Sequence, residues 1–250
     1  MGSIGKNLIL SLSLVLGLTV GSPTSAQTSK LEVTQDNVNV IKENMLKMNI
    51  DEEDYPELSE KIKAGQMLDS QNPEELAKIP KDALTPSLTD PVKRYTFPDG
   101  SVIESGIEII SKTELDKEGN VLREFKNKEH GKNTVAAEEE IIKSKCGSGY
   151  CNYTLKVYHK TLIVEASFLA TVSIIDDGPD RISDVGDHYI WCLYGYSSGE
   201  SLTINREVEL EKIAPAAATL TFTHVAPAGS VISRLRLNVE NDRYYSSASW

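Results

Sequence analysis

Strict alternation of apolar side chains marks residues 162–174. Every second residue of this stretch is apolar without a miss, and most of the residues between are polar, among them Glu165, Ser167, Thr171 and Ser173. Successive side chains of a β-strand point to opposite faces, whereas a helix repeats its apolar residues every three or four positions. The stretch therefore predicts one long strand, bent or bulged, with a single buried face.

Further strands are predicted on the C-terminal side of this stretch, and short turn sequences separate them: DDGPD, SSGES and PAG. The candidates cover residues 188–196, 202–210, 217–225 and 233–239. Strands at such intervals are typical of an antiparallel sandwich. Residues 146–250 are therefore predicted to form a β-sandwich domain with Phe168, Trp191 and Phe222 in its core.

Residues 27–90 read instead as short helices. Val38, Ile41, Met45 and Met48 recur at helical spacing, and the sequence NPEEL starts with Asn72 in the position of a helix cap. Helices this short are marginal in isolation, so they are expected to pack on the rest of the chain.

Residues 91–145 are predicted to form a strand meander followed by a linker. The sequence VKRYTFPDGSVIES combines two strands with a Pro-Asp-Gly turn, and IEIISKTELDKEGNVLREF repeats that arrangement. The linker contains a possible helical turn at residues 138–140. The fold class is thus α+β: short N-terminal helices and a meander, followed by a mainly antiparallel β-sandwich.

The first 26 residues have the order of a secretory signal peptide. Lys6 precedes an uncharged apolar run over residues 8–20, and small residues end at Ala26, where we expect cleavage. The run is shorter than the roughly 20 residues that a membrane-spanning helix needs. The chain is therefore expected to be secreted, extracellular and without a transmembrane segment.

The charge of the chain disfavours one class of partner. With 26 basic and 37 acidic side chains, the formal net charge is −11 at pH 7. An acidic chain repels phosphate backbones, so nucleic acid is not expected as a partner.

Several stretches are similar to secreted proteins of Gram-positive bacteria. The sequence EKIKAGQMLDSQNPEEL, followed by RYTFPDGSVIE, resembles a helical segment joined to a strand hairpin in such proteins. The stretches SFLATVSIIDDGPDRISDVGD and LRLNVENDRYYSSASW resemble their β-rich domains of unknown function. The resemblance implies a compartment and a fold class, and it assigns no functional residue.

The three cysteines fit a covalent cross-link better than catalysis. Cys146 and Cys151 flank a Gly-Ser-Gly turn before a strand, whereas reactive dithiols are usually Cys-x-x-Cys at a helix start. Disulfides persist outside the cell, and this short loop would stabilise the fold by about 2 kcal/mol. Pairing of Cys192 with either of the others stays open, because sequence does not decide the connectivity.

Two further patterns indicate weaker candidate sites. Gly195 to Gly199 fit the Gly-x-Ser-x-Gly expression with Ser197 in its centre and His224 downstream, but a strand is predicted where a nucleophile elbow needs a helix. Asp176, Asp177 and Asp180 cluster in one loop, where carboxylates can hold calcium, although Asp and Gly are also ordinary turn residues.

No complete catalytic set emerges from these patterns, so no catalytic residue and no cofactor apart from calcium is predicted. The sequence favours a secreted, non-enzymatic module that binds an unidentified extracellular ligand or protein. A secreted toxin-like or antibacterial protein that acts on membranes is the first alternative, because membrane-inserting hairpins also alternate apolar and polar residues. A secreted hydrolase that uses Ser197 or scattered carboxylates is the second.

Overall fold

The structure is a computed structural model that describes residues 35–126, 149–176, 178–226 and 229–250. The predicted signal peptide, the possible helical turn at residues 138–140, Cys146 and Asp177 lie outside the described residues.

Short helices form at the N-terminal side of the described chain, as expected. They are α1 (Gln35–Lys47), α2 (Tyr55–Lys63) and α3 (Pro73–Leu76), with 3-10 turns at Glu52–Asp54 and Asp69–Gln71. Asn72 caps α3, because its side-chain oxygen accepts a hydrogen bond from the Glu74 amide at 3.0 Å. Ile41, Met45 and Met48 of the predicted stripe are buried in the common core.

Six strands build the first sheet, and four build the second. The first sheet contains β1 (Val92–Thr96), β2 (Val102–Leu115), β3 (Val121–Lys126), β4 (Tyr150–Lys160), β5 (Val164–Ile175) and β6 (Arg181–Cys192). Their order is β1-β2-β4-β5-β6, with β3 beside the second half of β2. The second sheet contains β7 (Tyr196–Arg206), β8 (Ala216–Ala226), β9 (Gly229–Glu240) and β10 (Arg243–Ser249), in the order β10-β9-β8-β7.

The predicted fold class is confirmed, since mainly antiparallel sheets follow a few short helices. Ala166, Phe168, Ala170 and Val172 of β5 turn to the core, and each is at most 1% exposed. Two register shifts in the pairing of β5 with β6 provide the irregularity expected for so long a strand.

The predicted meander belongs to the sandwich. β2 pairs with β4 from Glu104, opposite Lys160, to Leu115, opposite Tyr150. A division between residues 145 and 146 would therefore cut through a sheet whose inner face is part of one core.

The turn predicted at SSGES is wrong, because these residues lie inside β7. Gly199 has a positive φ of 62°, and the register with β8 shifts between Ser198 and Ser201. Turn-type residues here form a bulge within a strand, which sequence patterns do not distinguish from a turn.

Two buried carboxylates connect the two sheets. Asp180 directly precedes β6, and Glu209 follows the end of β7. The side chain of Asp180 accepts hydrogen bonds from the amides of Ile175 at 3.0 Å and Asp242 at 2.9 Å. Glu209 accepts from the amides of Asp180 at 3.2 Å and Asn241 at 3.0 Å. We call Asp180 and Glu209 the carboxylate clamp.

Candidate ligand-binding face

The outward side of the four-stranded sheet is built by strands whose sequences alternate. In β9, Leu235 and Leu237 are fully buried, so Arg234 and Arg236 lie on the opposite, outer face. In β8, Leu220 and Phe222 are fully buried in the same way. The outer positions of β8 are taken by three threonines, Thr219, Thr221 and Thr223.

Strand register arranges these residues in rows across the sheet. One row runs from Ser201 through Thr221 and Arg234 to Ser249, and the next runs from Thr203 through Thr219 and Arg236 to Ser247. Arg206, opposite Ala217, and Arg243, opposite Glu240, extend the same face at one end of the rows. We call the four arginines, together with the hydroxyl groups of these rows, the arginine face.

The side chains of the arginine face make local polar contacts. Arg236 Nε donates to Asn238 Oδ1 at 2.8 Å, and Arg206 donates to the Pro215 carbonyl at 3.1 Å. Thr219 donates to Asn205 Oδ1 at 2.6 Å. These contacts hold the surface side chains in place and leave hydrogen-bond donors of the guanidinium groups available.

None of the four arginines forms an ion pair within the part of the chain that the structure describes. Glu240, which lies opposite Arg243 on this face, accepts a hydrogen bond from the Tyr245 hydroxyl at 2.8 Å. Four of the seven arginines of an acidic chain thus share one sheet face. Guanidinium groups gathered on one face are able to bind an anionic ligand.

The hydrolase geometry that the sequence left open at Ser197 is not formed. Ser197 lies in β7 opposite His224 of β8, so a strand continues where a nucleophile elbow turns into a helix. The Ser197 hydroxyl donates to Glu200, and the His188 Nε2 lies 3.1 Å from the same carboxylate. The Ser197 hydroxyl therefore contacts an acid instead of a histidine base.

His224 is also unsuited to act as the base. It is 8% exposed, and its Nε2 lies 3.1 Å from the Tyr194 carbonyl. His224 Nε2 donates to this carbonyl, and the Ser197 hydroxyl donates to Glu200 and not to the His224 ring.

Of the three aspartates proposed as a calcium site, Asp180 belongs to the carboxylate clamp. Both side-chain oxygens of Asp180 accept backbone hydrogen bonds, and Asp176 is exposed. Within residues 35–126, 149–176, 178–226 and 229–250, no group of three His, Cys, Asp or Glu side chains is arranged to hold a metal ion. Burial, opposed by the hydrogen bonds from Ile175 and Asp242, raises the pKa of Asp180 to about 6.

Cys192 and Cys151 do not form a disulfide, which was one of the pairings that the sequence left open. Cys192 lies opposite Val164, and Cys151 lies opposite Ile174, ten residues further along β5. That separation is about 33 Å, far above the roughly 7 Å limit for the Cα atoms of a disulfide. Cys192 is a free thiol, so its pairing with Cys146 is not formed either, while the link between Cys146 and Cys151 stays a prediction. Burial and then the Glu200 charge raise the pKa of Cys192, which disfavours a reactive thiolate.

The arginine face was not identified from the sequence, although a signal for it was present. The sequence SRLRLN alternates arginine with leucine, and TLTFT alternates threonine with apolar residues. Each pattern assigns one face of one strand, whereas only the register of four strands shows that these faces coincide.

Comparisons with known proteins identify no family. Neither a family model nor a curated protein matches the chain. Among solved structures, a hypothetical protein of Listeria monocytogenes matches with a TM-score of 0.29 and 13% identity. The match covers 68% of this chain and 99% of the Listeria chain. None of the described helices has the length and apolar character of a membrane span.

Proposed function

We propose that this protein is an exported, non-enzymatic module that binds anionic partners outside the cell through its arginine face. Export is supported by Lys6, the apolar run over residues 8–20 and the small residues that end at Ala26. The observation that carries the binding role is a set of four arginines on one sheet face, which form no ion pair with any residue that the structure describes, in a chain of net charge −11.

The chemistry of the face supports ligands that carry phosphate, sulfate or carboxylate groups. A guanidinium group is planar, always charged and able to donate two parallel hydrogen bonds to such an anion. The Thr221 hydroxyl and the Ser201 and Ser249 hydroxyls add donors in the row of Arg234. Because the residues form an open sheet face, an extended partner fits better than a small molecule, whose sites are typically concave.

The proposal is tested with inorganic polyphosphate as a soluble polyanion. We expect the protein to bind it at low salt and to lose affinity as salt rises. The double variant Arg234→Gln/Arg236→Gln should bind at least tenfold more weakly in a calorimetric titration, since charge-assisted hydrogen bonds contribute about 1.5–3 kcal/mol each.

A matched control separates the arginine face from the total charge. Arg123→Gln/Lys156→Gln also removes two positive charges, but from strands β3 and β4 of the other sheet. It should change the affinity for polyphosphate by less than about twofold. Absence of polyphosphate binding by the unmodified protein, or equal losses in both double variants, would contradict the proposed function.

A further inference from the structure

The hairpin of β8 and β9 reaches beyond the strand that flanks it. The register between β9 and β10 ends at Arg234, opposite Ser249, whereas β9 continues to pair with β8 as far as Gly229. Residues 229–233 therefore extend past the end of the neighbouring strand, next to the row that contains Arg234.

Apolar side chains are exposed at this extended end. Ile232 is 56% exposed, Val231 is 49% exposed, and Tyr196 at the start of β7 is 61% exposed. Ile232 precedes Arg234 by two residues on the same face of β9, about 7 Å away at the rise of an antiparallel strand. Val231 projects from the opposite face of β9 at the same end of the hairpin. We call Tyr196, Val231 and Ile232 the apolar end, and its Tyr196 and Ile232 lie on the same side of the sheet as the arginine face.

We propose that the apolar end and the arginine face together dock on the surface of a bilayer that contains anionic lipid. This inference rests on the proposed function and names the source of the anionic groups as lipid phosphates. Apolar and aromatic side chains enter the boundary between headgroups and acyl chains, while adjacent arginines remain at the phosphates. A tyrosine suits this position, because one end of its ring is apolar and the other is polar.

The net charge of −11 opposes approach to an anionic surface but does not decide the contact. At physiological ionic strength, charges more than about 8 Å away are largely screened, so the residues at the surface dominate. Glu240 and Glu200 lie near the docking surface and keep their negative charge while they accept from Tyr245 and Ser197, so docking requires that the four arginines outweigh these two carboxylates.

A second copy of the chain is a poorer occupant of the same surface. Stable protein interfaces bury about 20–30 residues on each side, whereas the apolar end provides three large apolar side chains. In a symmetric dimer the arginine face would also approach its own copy, and like charges would repel.

The test uses sedimentation of the full chain with two kinds of vesicle, phosphatidylcholine alone and an equal mixture of phosphatidylcholine with phosphatidylglycerol. We expect binding to the mixed vesicles only. Arg234→Gln/Arg236→Gln should weaken it about 30-fold, since each basic residue near an anionic surface contributes about 1 kcal/mol. Val231→Ser/Ile232→Ser should weaken it about tenfold or more through lost apolar burial.

Two controls accompany these variants. Val121→Ser/Leu122→Ser removes two similarly exposed apolar side chains from β3, at 63% and 62% exposure, and should bind as the unmodified protein does. Polyphosphate binding by Val231→Ser/Ile232→Ser should also be unchanged, because the apolar end does not contact a soluble anion.

The outcomes distinguish the inference from the function on which it rests. Binding to polyphosphate without binding to mixed vesicles would overturn the membrane inference and leave the proposed function in place. Vesicle binding that survives in Val231→Ser/Ile232→Ser, or self-association of the free protein that this variant abolishes, would also overturn the inference. If the unmodified protein binds neither polyphosphate nor mixed vesicles, both the proposed function and the membrane inference are contradicted.

Discussion

The two outer faces of the sandwich differ in the partners of their cationic side chains. On the six-stranded sheet, Glu104 accepts from Lys160 at 2.9 Å and from the Tyr158 hydroxyl at 3.1 Å, and lies 3.8 Å from Arg94. On the four-stranded sheet, the described residues provide no such partner for Arg234 or Arg236. Glu104 thus pairs with two cations beside it, whereas Arg234 and Arg236 have no ion-pair partner among the described residues.

The difference shows that alternation alone does not give a face its role. Both sheets bury one apolar side, and both present charged and hydroxyl-bearing side chains on the other. What differs is the cross-strand neighbour: Lys160 lies opposite Glu104, whereas Arg234 and Arg236 lie opposite serine and threonine residues. Cross-strand pairs of opposite charge stabilise a sheet, whereas exposed arginines without an acidic partner contribute little to stability.

The two outer faces exist only while the two sheets pack against each other. Removal of the carboxylate clamp, which joins the sheets, should therefore have the largest effect on stability. Asp180→Ala removes the acceptor of two amide groups, those of Ile175 and Asp242. Unsatisfied buried donors cost about 1–3 kcal/mol each, so the free energy of unfolding in urea should fall by about 2–4 kcal/mol. A loss below about 1 kcal/mol would show that the clamp does not hold the sheets.

The same carboxylate predicts a dependence on pH. The pKa of Asp180 rises from 3.8 to about 6 in the folded chain, mainly through burial and secondarily through the charges of Glu209 and Asp242. The folded state then binds more protons between about pH 4 and pH 6, so this group stabilises the fold less as pH rises through that range. We expect the unmodified protein to lose stability relative to Asp180→Asn over this interval; parallel curves would contradict the assignment.

The next effect in size breaks the internally satisfied face. A Cβ atom at Gly106 would lie 2.2 Å from Cζ of Tyr158, whose hydroxyl donates to Glu104. Gly106→Ala should therefore displace the ring and reduce the free energy of unfolding by about 1–3 kcal/mol. Gly186→Ala on β6 is the control, because a Cβ atom there meets nothing within 4 Å. Equal losses in both variants would mean that strand propensity, not the Tyr158 contact, decides the result.

The smallest effects compare the two faces directly. Glu104→Gln should cost about 1 kcal/mol of stability, since it weakens the interactions with Lys160 and Arg94. Arg234→Gln/Arg236→Gln should change stability by less than about 0.5 kcal/mol, as surface substitutions usually do. Chemical denaturation of the two variants side by side measures the difference. A larger loss in the arginine variant would show that the arginine face has a structural role.

Much of the fold followed from local patterns, and the site did not. The alternation in β5 and the cap at Asn72 are visible in short stretches of sequence, because each depends on neighbours within a few residues. The bulge at Gly199 and the carboxylate clamp could not be predicted, since their partners are far away in the chain. Asp180, for example, meets Asp242 at a sequence separation of 62 residues.

The sequence by itself determined which side of each strand is buried, because removing apolar groups from water decides that question strand by strand. It also determined the acidic balance and the helix cap. Only the tertiary structure decided which outer sides share a surface, since the register between β7, β8, β9 and β10 brings Ser201, Thr221, Arg234 and Ser249 into one row. Register is fixed by pairing between distant segments, so the arginine face exists in the folded sheet and in no single stretch of the chain.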